Sequence, residues 1–233
     1  MAQGNSMREL SKDGSVHVTD EKINTIISAT GAVLSLLAGG YLVTISSIHY
    51  KPWHLFSFTI YGFTLVNLFA ISAMHHGVNA SPRLEYMLRQ FDFFSIFLFI
   101  AGCFTPVCLV LTRDAGGPLI LAIIWMVAIV GITVKAMYPD IPKWVTNAMY
   151  VGMGWVGALC VVPVYHKIGW KGLLIFVIGG VLYTIGSFIY YFERPNPIPG
   201  KFGFHEIWHL FVFAAASSHC YFMLHYVLPF SLS

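Results

Sequence analysis

Long apolar runs alternate with short polar breaks along most of the chain. Stretches free of Asp, Glu, Lys and Arg cover residues 23–50, 52–82, 93–112, 115–134, 144–166, 172–192 and 207–233. A helix needs about 20 apolar residues to cross roughly 30 Å of hydrocarbon, so each run predicts one spanning helix. The connections between them leave no room for a separate soluble domain. The expected architecture is all-α, a polytopic seven-transmembrane helix bundle over residues 23–233 behind a polar tail over residues 1–22. That tail lacks the basic segment and apolar core of a cleavable signal, so the first helix is expected to direct insertion itself.

Turn chemistry supports these boundaries. Pro195, Pro197, Pro199, Gly200 and Gly203 fall within residues 193–203, a run that cannot continue a helix and must join the sixth to the seventh. Pro106 and Pro163 are expected to kink their helices, and the pairs Gly39–Gly40 and Gly179–Gly180 to allow close helix approach.

Composition narrows the class. The 233 residues are 57% hydrophobic and 10% charged, against roughly 25% charge in a soluble domain. A net charge of +3, with basic residues scattered among connections, excludes a nucleic-acid partner. Cys103, Cys108, Cys160 and Cys220 lie in apolar runs without CxxC spacing and are expected as small packed side chains. With the N-terminus inside, Arg8, Lys12, Lys22, Arg83, Arg89, Lys135, Lys143, Arg194 and Lys201 are cytoplasmic, against Lys51, Arg113, Lys167 and Lys171 outside. Nine against four predicts a cytoplasmic N-terminus and an external C-terminus in the cell (inner) membrane.

Ionisable side chains at membrane depth point to function. The second helix ends in Ser72-Ala-Met-His75-His76, the third is expected to open with Arg89-Gln-Phe-Asp92, and the seventh opens with His205-Glu-Ile-Trp-His209. Ser72 with His76, and His205 with His209, are i, i+4 pairs that share a helix face. Alternating topology places the end of the second helix and the starts of the third and seventh at one depth. His76, Asp92, His205 and His209 therefore meet near the cytoplasmic face, and three histidines with an open position make a catalytic zinc arrangement. Asp92 is either a fourth ligand or an acceptor that holds the metal's water. His75 and His76 lie about 100° apart around the helix, and the residues alone leave open which one faces the bundle. His219 lies about 15 Å beyond His209 at 1.5 Å per residue, too far to share an ion. His219 and His225 are expected as packing or interfacial residues, and His17, His49, His54 and His166 need no special account.

At these residues the chain resembles the haemolysin III family, the bacterial branch of the progestin and adipoQ receptor family that includes the adiponectin receptors. The resemblance runs from about Glu21 to Tyr226. It is carried by Ser72 to His76 as SxxxH, by LRQFDFFSIFLFIAGCFTP from Leu88, by GGVLYTIGSFIYY from Gly179 and by FGFHEIWHLFVFAAASSH from Phe202. The resemblance implies that His76, His205 and His209 bind Zn²⁺, that Asp92 holds the zinc-bound water, and that Ser72 is the family's serine. It selects His76 over His75. Ser28 stands where many bacterial members carry a histidine.

Three functions follow as expectations. The first is a zinc-dependent intramembrane hydrolase of lipid amides or esters, in which zinc acidifies the water, Asp92 accepts its proton and Ser72 orients the water or supports the oxyanion. Its partner is a membrane lipid, and the resemblance implies ceramide-like acyl lipids. The second is a membrane or lipid-homeostasis sensor with structural zinc. The third is a lytic pore, which needs polar rings along a passage, whereas the polar residues here cluster at one depth.

Overall fold

The computed structural model describes Lys12 and residues 21–231; Arg8, His17 and residues 232–233 lie outside the described residues. The helices are α1 (Lys22–Ile48), α2 (Pro52–Gly77), α3 (Pro82–Pro106), α4 (Gly117–Met137), α5 (Lys143–Val156), α6 (Val161–Phe192) and α7 (Phe204–Phe222). π-helical turns extend α3 over Val107–Leu111 and α7 over Met223–Val227, and a 3-10 turn, Gly157–Cys160, joins α5 to α6. Among the described residues, six helical runs are long and apolar enough to cross a membrane.

The helices are built inside out relative to a soluble protein. The buried residues of α1 are Asn24, Ser28, Gly31, Ser35, Gly39, Leu42 and Ser46, spaced three or four apart and hence on one stripe. Ile26, Val33, Leu34, Leu36 and Leu37 point outward and are exposed. Lipid tails accept exposed leucine at no cost, so a small-residue stripe that lets backbones approach is what holds such a helix to its neighbours. α1 meets α2 at Gly39 and Gly62, where a Cβ on Gly39 would lie 3.1 Å from the Gly62 Cα.

α3 is the central helix. In its most apolar window 78% of residues are buried, against 28% in α1, and it packs on α2, α4 and α5. It starts at Pro82 rather than near Arg89, so Asp92 lies about 15 Å along it at 1.5 Å per residue and not in its first turn. The charge-free run marks the hydrocarbon-facing part of a helix, whereas a proline suited to the first position marks where it begins. Departures from α geometry accompany both internal prolines, since Pro106 precedes the π turn and Pro163 follows the 3-10 turn. The four cysteines are free, three of them buried.

One run is far longer than a bilayer is thick. Lys143–Phe192 spans 50 residues, about 75 Å if straight. Yet Lys143 Nζ lies 2.6 Å from Glu193 Oε1, so the run folds back on itself. The fold-back is at Gly169, with φ 72° and ψ −179°, a conformation open to glycine alone. It falls between Lys167 and Lys171, where the charge pattern predicts a connection, and a single residue stands in place of a loop.

Candidate metal centre

Two helix ends converge at one side of the bundle, the last turn of α2 and the first of α7, beside α3 at the level of Asp92. His76 Nε2 lies 3.1 Å from His209 Nε2, which lies 3.0 Å from His205 Nε2. All three side chains are buried. Tetrahedral Zn–N bonds of 2.0–2.1 Å would place ligand nitrogens roughly 3.3 Å apart, close to the spacing observed.

The tautomer of His76 is set by its surroundings. His76 Nδ1 donates to Glu21 Oε2 at 2.6 Å, so the neutral ring carries its proton on Nδ1 and turns the Nε2 lone pair toward the other two histidines. With the protons of His205 and His209 also on Nδ1, three Nε2 lone pairs would face one point, where a cation would satisfy them. The donor set therefore fits a metal ion, and the residues that could hold it are His76, His205 and His209.

Glu21 belongs to a buried network at the same end. Its Oε2 also accepts from Asn24 Nδ2 at 3.2 Å, and its Oε1 accepts from the Lys12 amide at 3.0 Å. Burial alone would raise the Glu21 carboxyl, but the bonds from His76, Lys12 and Asn24 outweigh it and hold it at about 2. Asn24 Nδ2 donates to Glu206 Oε1 at 3.0 Å as well, while Glu206 Oε2 accepts from the Gly203 amide at 2.7 Å. The last bond satisfies an orphan donor at the start of α7 and fixes the turn that carries His205. Lys12 Nζ donates to the His76 and Val78 carbonyls at 3.2 and 2.6 Å, a cation on the carbonyl end of α2.

Asp92 lies beside the triad, and its carboxylate, His75 and His76 form a second close group. Ser72 interacts with Asp92, and its hydroxyl is 3.0 Å from that of Ser28. Ser28 thus positions Ser72. His76, not His75, joins the triad. His75 packs its ring 4.7 Å from that of His76, and its Nδ1 is buried without a partner. His219 is remote, as expected; its Nε2 donates to the Phe176 carbonyl at 3.1 Å, and Cys103 lies 3.2 Å from its Nδ1.

One cavity adjoins the triad, and a second adjoins the first. The first, of about 210 Å³, is lined by His205, His209, Asp92 and His75 together with Arg89, Gln90 and Lys135. The other, of about 150 Å³, is lined almost entirely by apolar side chains of α3, α5, α6 and α7. They share Ile96, Tyr150 and Trp208 in their walls.

Sequence reasoning passed over Glu21, Asn24 and Glu206. The available signal was an acidic residue three positions before an asparagine at the border of the first apolar run, and a glutamate enclosed by the HxxxH pair.

Fold and site define a multi-pass integral membrane protein with a buried three-histidine cluster that could bind a metal. The chain belongs to the haemolysin-III related family, whose model matches residues 16–220. It is 32% identical over 212 residues to Hemolysin-3 of Bacillus cereus, covering 91% of this chain and 94% of that one. It is 28% identical over 209 residues to the Hemolysin-3 homolog of Bacillus subtilis (strain 168), covering 90% and 95%. The monocyte to macrophage differentiation factor of Homo sapiens is 31% identical over 176 residues, 72% of this chain and 69% of the human protein.

Proposed function

We propose that the protein is a zinc-dependent hydrolase of acyl lipids that crosses the membrane seven times, with its N-terminus and metal site at the cytoplasmic side. The observation that carries this reading is the meeting of the two cavities. A chamber lined by His205, His209 and Asp92 adjoins an apolar one across Ile96, Tyr150 and Trp208. An amphiphile with a polar linkage and a hydrocarbon tail matches that sequence of environments. The fold-back at Gly169 supports the seventh crossing, because it divides the 50-residue run into two lengths that each suit a bilayer. The excess of basic residues on one set of connections supports the orientation.

A zinc ion at the three Nε2 atoms would supply Lewis acidity toward a carbonyl oxygen and toward water. Asp92, within reach of the triad but free of its Nε2 cluster, accepts the proton of the attacking water and passes it to the leaving group. Ser72, held by Ser28, orients the Asp92 carboxylate and can donate to oxygen. Glu21 keeps the proton of His76 on Nδ1. The apolar cavity holds the acyl chain and keeps bulk water from the linkage. The same apolar lining speaks against a conducting pore, which needs polar groups along its length.

The test is zinc content and fatty-acid release measured on one preparation, with ceramides and phospholipids as substrates. Asp92→Asn should retain the metal, since its three histidines remain, and lose turnover by about 10² to 10⁴. Absence of hydrolysis in the parent protein across the panel removes the enzyme reading and leaves a structural metal.

A further inference from the structure

The polar cavity has two chemically different ends. At one, Asp92 interacts with His76, His205 and Ser72. At the other, Lys135 interacts with Arg89 and with the exposed Asp140. Lys135 is 7% exposed. Its Nζ donates to the Pro139 carbonyl at 2.7 Å and lies 4.8 Å from the Phe93 ring centroid. Neither Lys135 nor Arg89 has a carboxylate within ion-pairing distance among the described residues. Arg89 Nε is buried and unpartnered. Lys143, the third cation on this cavity, is already paired with Glu193.

Basic side chains near a membrane surface ordinarily snorkel toward water. Here the buried Lys135 and the half-buried Arg89 line one cavity together with Asp92 and Asp140, yet neither cation forms an ion pair with those carboxylates, and two like charges on one wall favour an added anion. A second observation points the same way. Gln90, 8% exposed, has its Oε1 buried without a partner on the same wall, and His75, 3% exposed, has an unpartnered Nδ1 there. Turned about its terminal bond, the Gln90 amide presents a donor in place of that acceptor.

The order of groups along α3 indicates how a ligand would lie. Arg89, Asp92, Ile96, Ile100 and Cys103 line the two cavities in turn and recur at helical spacing on one face. The series runs from cation to carboxylate to hydrocarbon. Arg89 and Asp92 are about 4.5 Å apart along the axis, and Arg89 and Cys103 about 21 Å. We propose that this cavity binds the phosphate of an acyl lipid, with Arg89 and Lys135 on the phosphate, the acyl linkage one turn further in at Asp92 and the triad, and the chain in the apolar cavity. The substrate class is thus an anionic lipid whose phosphate lies a few bonds from its acyl linkage, rather than a neutral one. The part assigned to the acyl linkage rests on the hydrolase reading; the phosphate site does not.

The experiment uses ligands that cannot be hydrolysed, so that its outcome is independent of catalysis. Affinities of 1-O-hexadecylglycerol and of its 3-phosphate are measured on the full chain in dodecyl maltoside, in buffer free of phosphate. The phosphorylated member should bind at least about tenfold tighter, as charge-assisted bonds to a phosphate require. Arg89→Gln and Lys135→Gln, separately and together, should reduce that preference, and Arg89→Lys with Lys135→Arg should retain it. The single variants keep the comparison open if the double variant does not fold. Equal affinities in the parent chain, or a preference that survives in the single Gln variants, would overturn the site. Inorganic phosphate is the remaining arm: if it binds as tightly as the phosphorylated ether, the chain contributes nothing and the lipid assignment fails. A phosphate preference without hydrolysis of any acyl lipid would sink the enzyme reading alone, and hydrolysis without the preference would sink this inference alone.

Discussion

Glu21 reaches His76 at 2.6 Å and thereby fixes which ring nitrogen faces His205 and His209. A carboxylate behind a ligating histidine orients the ring and raises its basicity, and loss of such a group costs about 10–100-fold in metal affinity. Glu21→Gln is expected to fall in that range in a competition titration against a zinc chelator, whereas His205→Ala with His209→Ala should leave no stoichiometric metal at all. His76 and His209 could be identified from sequence because an ionisable group in an apolar run is conspicuous, and His205 and Asp92 because they border such runs, His205 in HxxxH spacing with His209 and Asp92 at the depth that alternating topology gives His76. Glu21 could not, because it belongs to no such spacing pattern, stands in a polar segment where charge is ordinary, and has its partner 55 residues away. The choice between His75 and His76 likewise depended on the resemblance, since both lie in the last turn of α2 and only the approach of α7 distinguishes them.

At the scale of elements, contact between helices depends on small residues more than on the hydrophobic pattern. Gly39 lies against Gly62, whereas a Cβ on its neighbour Gly40 would meet nothing within 4 Å. Gly39→Val therefore forces α1 off α2 and is expected to destabilise by about 1–3 kcal/mol, as overpacking does, while Gly40→Val should leave the thermal midpoint in detergent nearly unchanged. Charge-free runs located α1, α2, α4 and α7 in outline and misplaced the start of α3, whose first turns carry Arg83, Glu85 and Arg89. They anticipated a break near Lys167 and Lys171, but not that Gly169 alone would make it. A single left-handed glycine leaves no compositional trace of the kind that Pro195, Pro197 and Pro199 leave between α6 and α7.

For the whole molecule, orientation is the property the bundle's internal contacts determine least, because it depends on the membrane and not on packing. The nine-to-four excess of basic residues predicts that a reporter fused after Ser233 is active only outside the cytoplasm. Cytoplasmic activity of that fusion would place the triad and the Lys12–Glu21 contacts on the outer face.

The histidine cluster draws on α2 and α7, and Glu21 precedes α1 while Glu206 lies in α7. The site is thus sewn from the first and last turns of the bundle. During synthesis His76 and its tautomer-setting partner emerge early, then wait until nearly the whole chain has been threaded before His205 and His209 arrive. A metal held by all three histidines would be captured only at the end of that sequence. The ion would then act as a closing rivet, and a chain with any helix misinserted would carry an empty site, which separates finished from unfinished molecules.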